Sequence, residues 1–334
     1  MTYDQPHAYC TYFDSGYLSR GLALIESLRA HGDNAPIWIM ALDDAARDYL
    51  LAADLDNVHV VSVTDLEASI PQLGPLKSER SRMEYYFTTT PLLIRWVMDQ
   101  YGSTDTTVIY LDGDLFFFDD PALVLDALGD GSVGIIEHRY QPRLEKRLAK
   151  YGRFNVGWVG FRADAQGRAC LAWWGERTLE WCRDTPDAGR YADQGYLDAF
   201  PEKFEGVRIL TSPGLNLAPW NTAGHRIETD NDRVTVDGDA LVFFHFHGVK
   251  KSKSWWVTSQ LVYGAGMGDT LRERVYVPYI RAIERLSAIV DASPLIPHTT
   301  VAARGAGLRG LVFRVQRSVV KAVAIVTRSA IRAT

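Results

Sequence analysis

Two acids separated by one glycine close an apolar run, Val108-Ile109-Tyr110-Leu111-Asp112-Gly113-Asp114-Leu115-Phe116. In an open α/β sheet, ligands bind outside the carboxyl ends of the strands, and this pair stands where a strand should end. Two carboxylates among apolar neighbours are costly unless a cation or hydrogen bonds neutralise them. A divalent metal on oxygen ligands, itself bridging substrate phosphates, meets that need. Asp-Gly is also common in exposed turns, but the apolar residues before it and Leu115-Phe116-Phe117-Phe118 after it argue against an exposed hairpin. Asp119-Asp120-Pro121 reads instead as the start of a helix. A second cluster lies far along the chain, in Val242-Phe243-Phe244-His245-Phe246-His247-Gly248. Its histidines share one face if the segment is extended, and Lys250, Lys251 and Lys253 beside them suit a diphosphate. Imidazole together with carboxylates favours manganese or a similar ion over calcium.

The elements that must position these groups alternate along the chain. Ala8–Phe13, Pro36–Met40, Val58–Val63 and Thr107–Leu111 read as strands, with helices expected over Tyr17–His31, Asp43–Ala53 and the later part of Ser81–Tyr101, Pro91 falling at its first turn. Such alternation describes a mostly parallel sheet covered by helices. Further on, Val133–Glu137, Asn155–Arg162 and Ala240–His247 read as strands, Gln166–Arg183 and Asp269–Ile289 as helices, and 212–224 as a long loop. The reading is α/β, with one catalytic domain over residues 1–292 and, over 293–334, a linker and a C-terminal helix.

In order and spacing these motifs resemble a GT-A-type glycosyltransferase, in motif style a divergent relative of glycosyltransferase family 8, over roughly residues 8–256. The resemblance implies a Rossmann-like single domain with a C-terminal helical appendage. It matches Tyr110-Leu111-Asp112-Gly113-Asp114 to the DXD motif, whose acids hold a metal, Mn2+ or Mg2+, on the diphosphate of a nucleotide-sugar donor. His245-Phe246-His247-Gly248-Val249-Lys250-Lys251 resembles the late His-x-x-Gly-x-x-Lys motif, making His245 the third metal ligand, with His247 the alternative, and Lys251 a diphosphate contact. Phe154-Asn155-Val156-Gly157 resembles the strand lining the sugar site, and Asp193-Gln194 the pair beside the transferred sugar. Thr11, Tyr12, Asp14 and Tyr17 stand like the family's opening segment around base and ribose. The arginine that the family carries before the DXD strand would be Arg95, or its role would fall to Lys77, Arg80 or Arg82. The acceptor hydroxyl would enter along Asn216, Trp220 and Asn221. The implied activity is transfer of a sugar to a glycan or lipid-linked acceptor in surface polysaccharide or glycolipid synthesis. Retention is expected; inversion would make Asp193 the first candidate base.

Composition bounds the alternatives. A chain of 334 residues with 47% hydrophobic and 23% charged residues is not wholly disordered. The net charge of −5 conceals a basic end. From residue 301 onward there are Arg304, Arg309, Arg314, Arg317, Lys321, Arg328 and Arg332 and no acid, so the preceding body is strongly acidic and unsuited to nucleic acid. At helical spacing the arginines oppose Leu308, Leu311, Val312, Val315, Val319 and Val323, which predicts a basic amphipathic helix on an anionic membrane surface. Three widely spaced cysteines and an N-terminus without signal-peptide character point to a cytoplasmic, peripherally membrane-bound protein. A haloacid-dehalogenase-type phosphatase also carries Asp-x-Asp, but on its first strand, whereas three strands precede it here. A degenerate carbohydrate-binding scaffold would not need both acids, the histidines and the lysine.

Overall fold

The computed structural model describes residues 6–101, 105–187, 189–297 and 323–332. Its centre is a sheet of seven strands: β1 (His7–Phe13), β2 (Ile37–Ala41), β3 (Val58–Ser62), β4 (Thr107–Leu111), β6 (Val133–Glu137), β7 (Phe154–Arg162) and β8 (Val207–Ile209). A short strand, β5 (Leu115–Phe117), stands outside it. The order is β3-β2-β1-β4-β7-β6-β8. The strands from β3 to β4 pair in parallel, β7 runs antiparallel to both β4 and β6, and β8 is parallel to β6. Both faces are covered, so β4 is buried at all five positions and reads as a continuous apolar run rather than an alternating one. One core joins the Leu18–Ala30 and Val277–Asp291 helices to the sheet, and a second packs the Arg82–Tyr101 and Ala165–Glu180 helices on the other side.

Local chemistry sets most helix starts. The Asp43 side chain accepts from the Ala46 N–H at 2.8 Å, and Asp164 does the same for Gly167 at 2.8 Å. Ser81 and Glu84 form a reciprocal capping box: the Ser81 N–H donates to Glu84 Oε2 at 2.8 Å, and the Glu84 N–H to Ser81 Oγ at 3.3 Å. That cap starts the helix at Arg82 and leaves Pro91 in its interior, not at the expected first turn. The lost backbone bond, about 3 kcal/mol in an exposed helix, is offset by burial of Thr88, Thr89, Thr90, Leu92, Leu93 and Ile94 around it.

The expected strand over 240–247 divides. β9 (Ile227–Asp230), β10 (Arg233–Val236) and β11 (Asp239–Ala240) make a small meander, after which the chain changes partner. Gly214 takes the Val242 N–H at 2.9 Å, and β12 (Phe243–His245) then pairs antiparallel with β5. Nearer the end, Leu271–Tyr276 forms a wide π-type turn ahead of Pro278, and the helix continues to Asp291.

The basic end departs from its expectation. Residues 305–322 of the proposed amphipathic helix lie outside the described residues. The described end is helical only over 323–326: Arg328 adopts φ +62°, and β15 (Ala330–Arg332) joins a sheet with β13 (Lys250–Ser252) and β14 (Trp255–Val257). Ser329, Ala330 and Ile331 are buried, and Arg328 bonds Asp269 at 2.5 Å. The last strand of the described end thus docks on the body of the chain. Among the described residues no helix is long and apolar enough to cross one. Ile331→Ala should therefore cost about 2–4 kcal/mol, read as a lower urea midpoint, whereas a dispensable tail would leave the midpoint unchanged.

Candidate active site

β4 delivers Asp112 and β5 begins after Asp114, with the turn between them closed by the Leu115 N–H on the Asp112 carbonyl at 3.1 Å. Pairing of β5 with β12 sets His245 opposite Leu115, and the Phe246 N–H on the Asp114 carbonyl at 2.9 Å extends that pairing by one step. His245 Nε2 consequently lies 3.2 Å from Asp114 Oδ1 and 3.6 Å from Asp112 Oδ2. One donor atom from each of the three residues falls within 4.8 Å of the others. The imidazole side chain is 4% exposed, Asp114 13% and Asp112 33%.

Behind the imidazole stands Asn155 of β7. Its Oδ1 accepts from the Gly157 N–H at 3.1 Å and from Asn216 Nδ2 at 3.1 Å, and lies 3.3 Å from His245 Nδ1. An oxygen already taking two N–H donors can only accept from a third group, so Nδ1 carries its proton and Nε2 faces the acids. Gly157 is needed for this approach: a Cβ there would sit 2.6 Å from Asn155 Oδ1 and 2.7 Å from His245 Nδ1. Tyr110 donates to Asp112 Oδ1 at 2.9 Å.

Electrostatics divides the two acids. Burial works to raise Asp114, but His245, its hydrogen bond, His247 and Arg20 hold it down at about 2. Burial raises Asp112, and the neighbouring Asp114 charge adds to it against the pull of His245. His245 is raised because the two carboxylates outweigh its own burial. Asp193 is pushed up to about 7, by burial first and then by the charge on Asp112. It follows Ala192, a non-glycine residue held at φ +46° with its N–H on the Arg183 carbonyl at 2.8 Å, a conformation costing about 1–3 kcal/mol.

These groups line a cleft of ≈ 950 Å³. Most of the expected residues reach it: Tyr12, Asp14, Tyr17 and Arg82; Asp112, Gly113 and Asp114; Asn155, Asp193 and Gln194; and Trp220, His245 and His247. Arg82 is bound to Asp14 at 3.2 Å, and Gln194 Nε2 donates to the Tyr151 carbonyl at 2.7 Å. Others are not brought there. Thr11 is buried in β1 with its hydroxyl unpartnered among the described residues. Lys77 pairs with Glu67 at 2.5 Å, and Arg95 lies on the exposed side of its helix. Lys251 sits in β13 and is captured by Glu284 at 2.9 Å, so it is not the cation beside the acids. Asn216 and Asn221 are fully buried behind the cleft, Asn216 on Asn155 and Asn221 spanning the carbonyls of His138 and Asn216. The sequence reading missed Tyr140, Arg147, Tyr151, Tyr191 and Tyr263, which line the cleft from separate irregular segments with no spacing in common.

Over 250 residues the chain is 34% identical to YfnF of Bacillus subtilis (strain 168), an uncharacterized protein, covering 73% of this chain and 82% of YfnF. The chain belongs to the YfnF family. A second uncharacterized protein of that organism, YfnD, is 29% identical over 281 residues, 82% of this chain and 88% of YfnD. No sequence profile of a described protein family matches. The fold is shared with the galactosyltransferase LgtC, solved with donor and acceptor sugar analogues: TM-score 0.50 and 18% identity over 87% of this chain and 98% of LgtC. An active-site mutant of LgtC matches equally, at TM-score 0.50 and 17% identity over 87% and 98%. The GT-A-type fold expected from the motifs is borne out. The charge balance predicts that His245→Ala, in metal-free protein, raises the Asp114 carboxyl from about 2 to the ordinary carboxylate range or above. A carbon-13 pH titration reads this directly, and an unmoved Asp114 would mean that the imidazole is not what holds it down.

Proposed function

We propose that the protein is a metal-dependent glycosyltransferase, moving a sugar from a nucleotide-diphosphate donor to a hydroxyl of a glycan or lipid-linked acceptor with retention of configuration. The observation that carries this reading is the convergence of Asp112, Asp114 and His245 at the carboxyl end of a sheet strand, inside a cleft that Tyr12, Asp14, Tyr17 and Arg82 also line.

The donor set fits a cation. It offers two carboxylates and an imidazole nitrogen whose ring is oriented from behind by Asn155. Such outer contacts are the usual means of fixing a ligating histidine. Asp112, Asp114 and His245 would hold Mn2+ or Mg2+, and the ion would supply positive charge beside the departing diphosphate. The remaining tasks belong to the chain. Tyr110 orients Asp112 through its phenol. Tyr12, Asp14, Tyr17 and Arg82 form the part of the cleft assigned to the nucleoside. Asn155, Asp193 and Gln194 line the sugar site. Burial pushes Asp193 up to about 7, a range in which a carboxyl can hydrogen-bond a sugar hydroxyl or take a proton from one.

The test is a panel of nucleotide sugars incubated with Mn2+, with nucleoside diphosphate release and product mass as readouts. Wild-type protein should release diphosphate from at least one donor only when metal is present. Asp114→Ala should lower that rate about 100-fold or more, as expected when one charged stabilising group is lost. Full turnover of that variant in excess chelator would remove the metal from the reading, and absence of hydrolysis or transfer with every donor would remove the transferase. The anomer of the product, read by proton NMR, decides between retention and an inverting reaction in which Asp193→Asn should be inactive.

A further inference from the structure

Part of the cleft is an aromatic wall to which the donor reading above gives no role. Tyr140, Tyr151, Tyr191, Trp220 and Tyr263 all face it. Their rings meet one another and the histidines beside them. Tyr151 and Tyr191 lie edge to face at 4.9 Å, and Trp220 meets Tyr263 at 6.0 Å. His138, stacked on Tyr140 at 4.7 Å, meets Trp220 at 5.6 Å. Aromatic faces are sugar platforms because their apolar, electron-rich surface matches the C–H face of a pyranose ring. Trp220 is 3% exposed, and its indole N–H has no partner among the described residues.

Set among these rings is Arg147. Its guanidinium lies 4.9 Å from the Tyr263 ring and lines the cleft. The other arginine of the cleft, Arg82, is taken by Asp14 and Tyr86. Arg147 has no acidic partner among the described residues. Its position is fixed from below, because Arg143 Nη2 donates to the Tyr263 carbonyl at 3.0 Å and to that of Gly264, clamping the 142–147 segment to the 260–264 turn. A held but unpaired guanidinium against aromatic rings is suited to a planar or tetrahedral oxyanion, which it can bind in bidentate fashion.

We propose that this aromatic wall is the acceptor subsite and that Arg147 selects an acceptor bearing an anionic group, a carboxylate or a phosphate, next to the sugar that stacks there. The inference rests on the transferase reading and names its acceptor class.

The experiment uses the full chain, the donor found active in the hydrolysis panel, and an array of glycosides in neutral, uronic-acid and sugar-phosphate or prenyl-diphosphate forms. Wild-type protein should label anionic members at least tenfold more efficiently than their neutral counterparts. The carboxylate and phosphate arms tell an acidic sugar from a phosphorylated or lipid-linked one. Arg147→Gln should erase that preference, with the loss in the KM for the acceptor, and Arg147→Lys should restore part of it. Labelling of neutral and anionic members alike, or of no anionic member while the donor is hydrolysed, overturns the proposal. So does a rise in the donor KM of Arg147→Gln as large as that for the acceptor, which would assign the guanidinium to the diphosphate. Absence of donor hydrolysis in the wild type would instead sink the transferase reading on which the proposal stands.

Discussion

Two carboxylates in an apolar fold cannot both remain charged without a compensating positive group. Unit charges about 4 Å apart repel by about 4 kcal/mol at an effective dielectric near 20, and desolvation adds to this. Among the described residues the nearest compensation is the imidazole of His245, whose Nε2 faces both Asp112 and Asp114, with His247 and Arg20 adding to it at Asp114. The imidazole stands closer to Asp114 than to Asp112, which is why Asp114 is held low while burial and the Asp114 charge raise Asp112. The site is left short of positive charge, and a divalent ion with its own substrate anion is the kind of occupant that would correct it. The architecture around the site follows from keeping those three groups together.

Three features enforce that meeting. The pairing of β5 with β12 fixes the register of His245, and a slip by one residue would send the imidazole to the opposite face. The bare Cα of Gly157 lets β7 approach close enough for Asn155 to grip the far side of the ring. Asn216, buried at φ +56°, holds Asn155 in turn, so a residue expected along the acceptor path stands behind His245. None of the three touches a ligand, yet each determines what can bind.

The parts of this arrangement that were legible in the sequence are those in which composition and periodicity act locally. β1 to β4, the buried helix faces and the strand-end acids follow from apolar runs and caps, and the His245 pattern marked its own importance. Long-range partner choice was not legible. Ala240–His247 looks like one strand because each residue is individually suited to one, but Gly214 intercepts Val242 and the chain exchanges one neighbour for another. Lys251 looks like a phosphate ligand because it follows a histidine motif, but Glu284, thirty-three residues further on, claims it. The basic end looks like a free amphipathic helix because its charges fall in one sector, yet Ile331 finds a place against Trp256 in β14. Each outcome depends on a competitor far away in the chain, which helical or strand periodicity cannot register.

The loss of Lys251 from the cleft raises the question of which fixed positive charge remains beside the acids, and the structure offers a consistent answer. Arg20, on the first helix, donates to the Val249 carbonyl at 3.1 Å and lies 4.6 Å from the Tyr17 ring and 5.8 Å from that of Trp256. It thereby ties the loop after β12 to the body while its charge acts on Asp114. Ser259, donating to the His247 carbonyl, pins the same loop from the other side. The loop that follows the histidines is thus fastened by backbone contacts before any ligand arrives, and its lysines face solvent and Glu284. A site built this way has a rigid, positively biased rim and a charge-deficient centre. Under the proposed transferase reading, selection among diphosphates falls to the occupant of that centre, because Lys251 is held by Glu284.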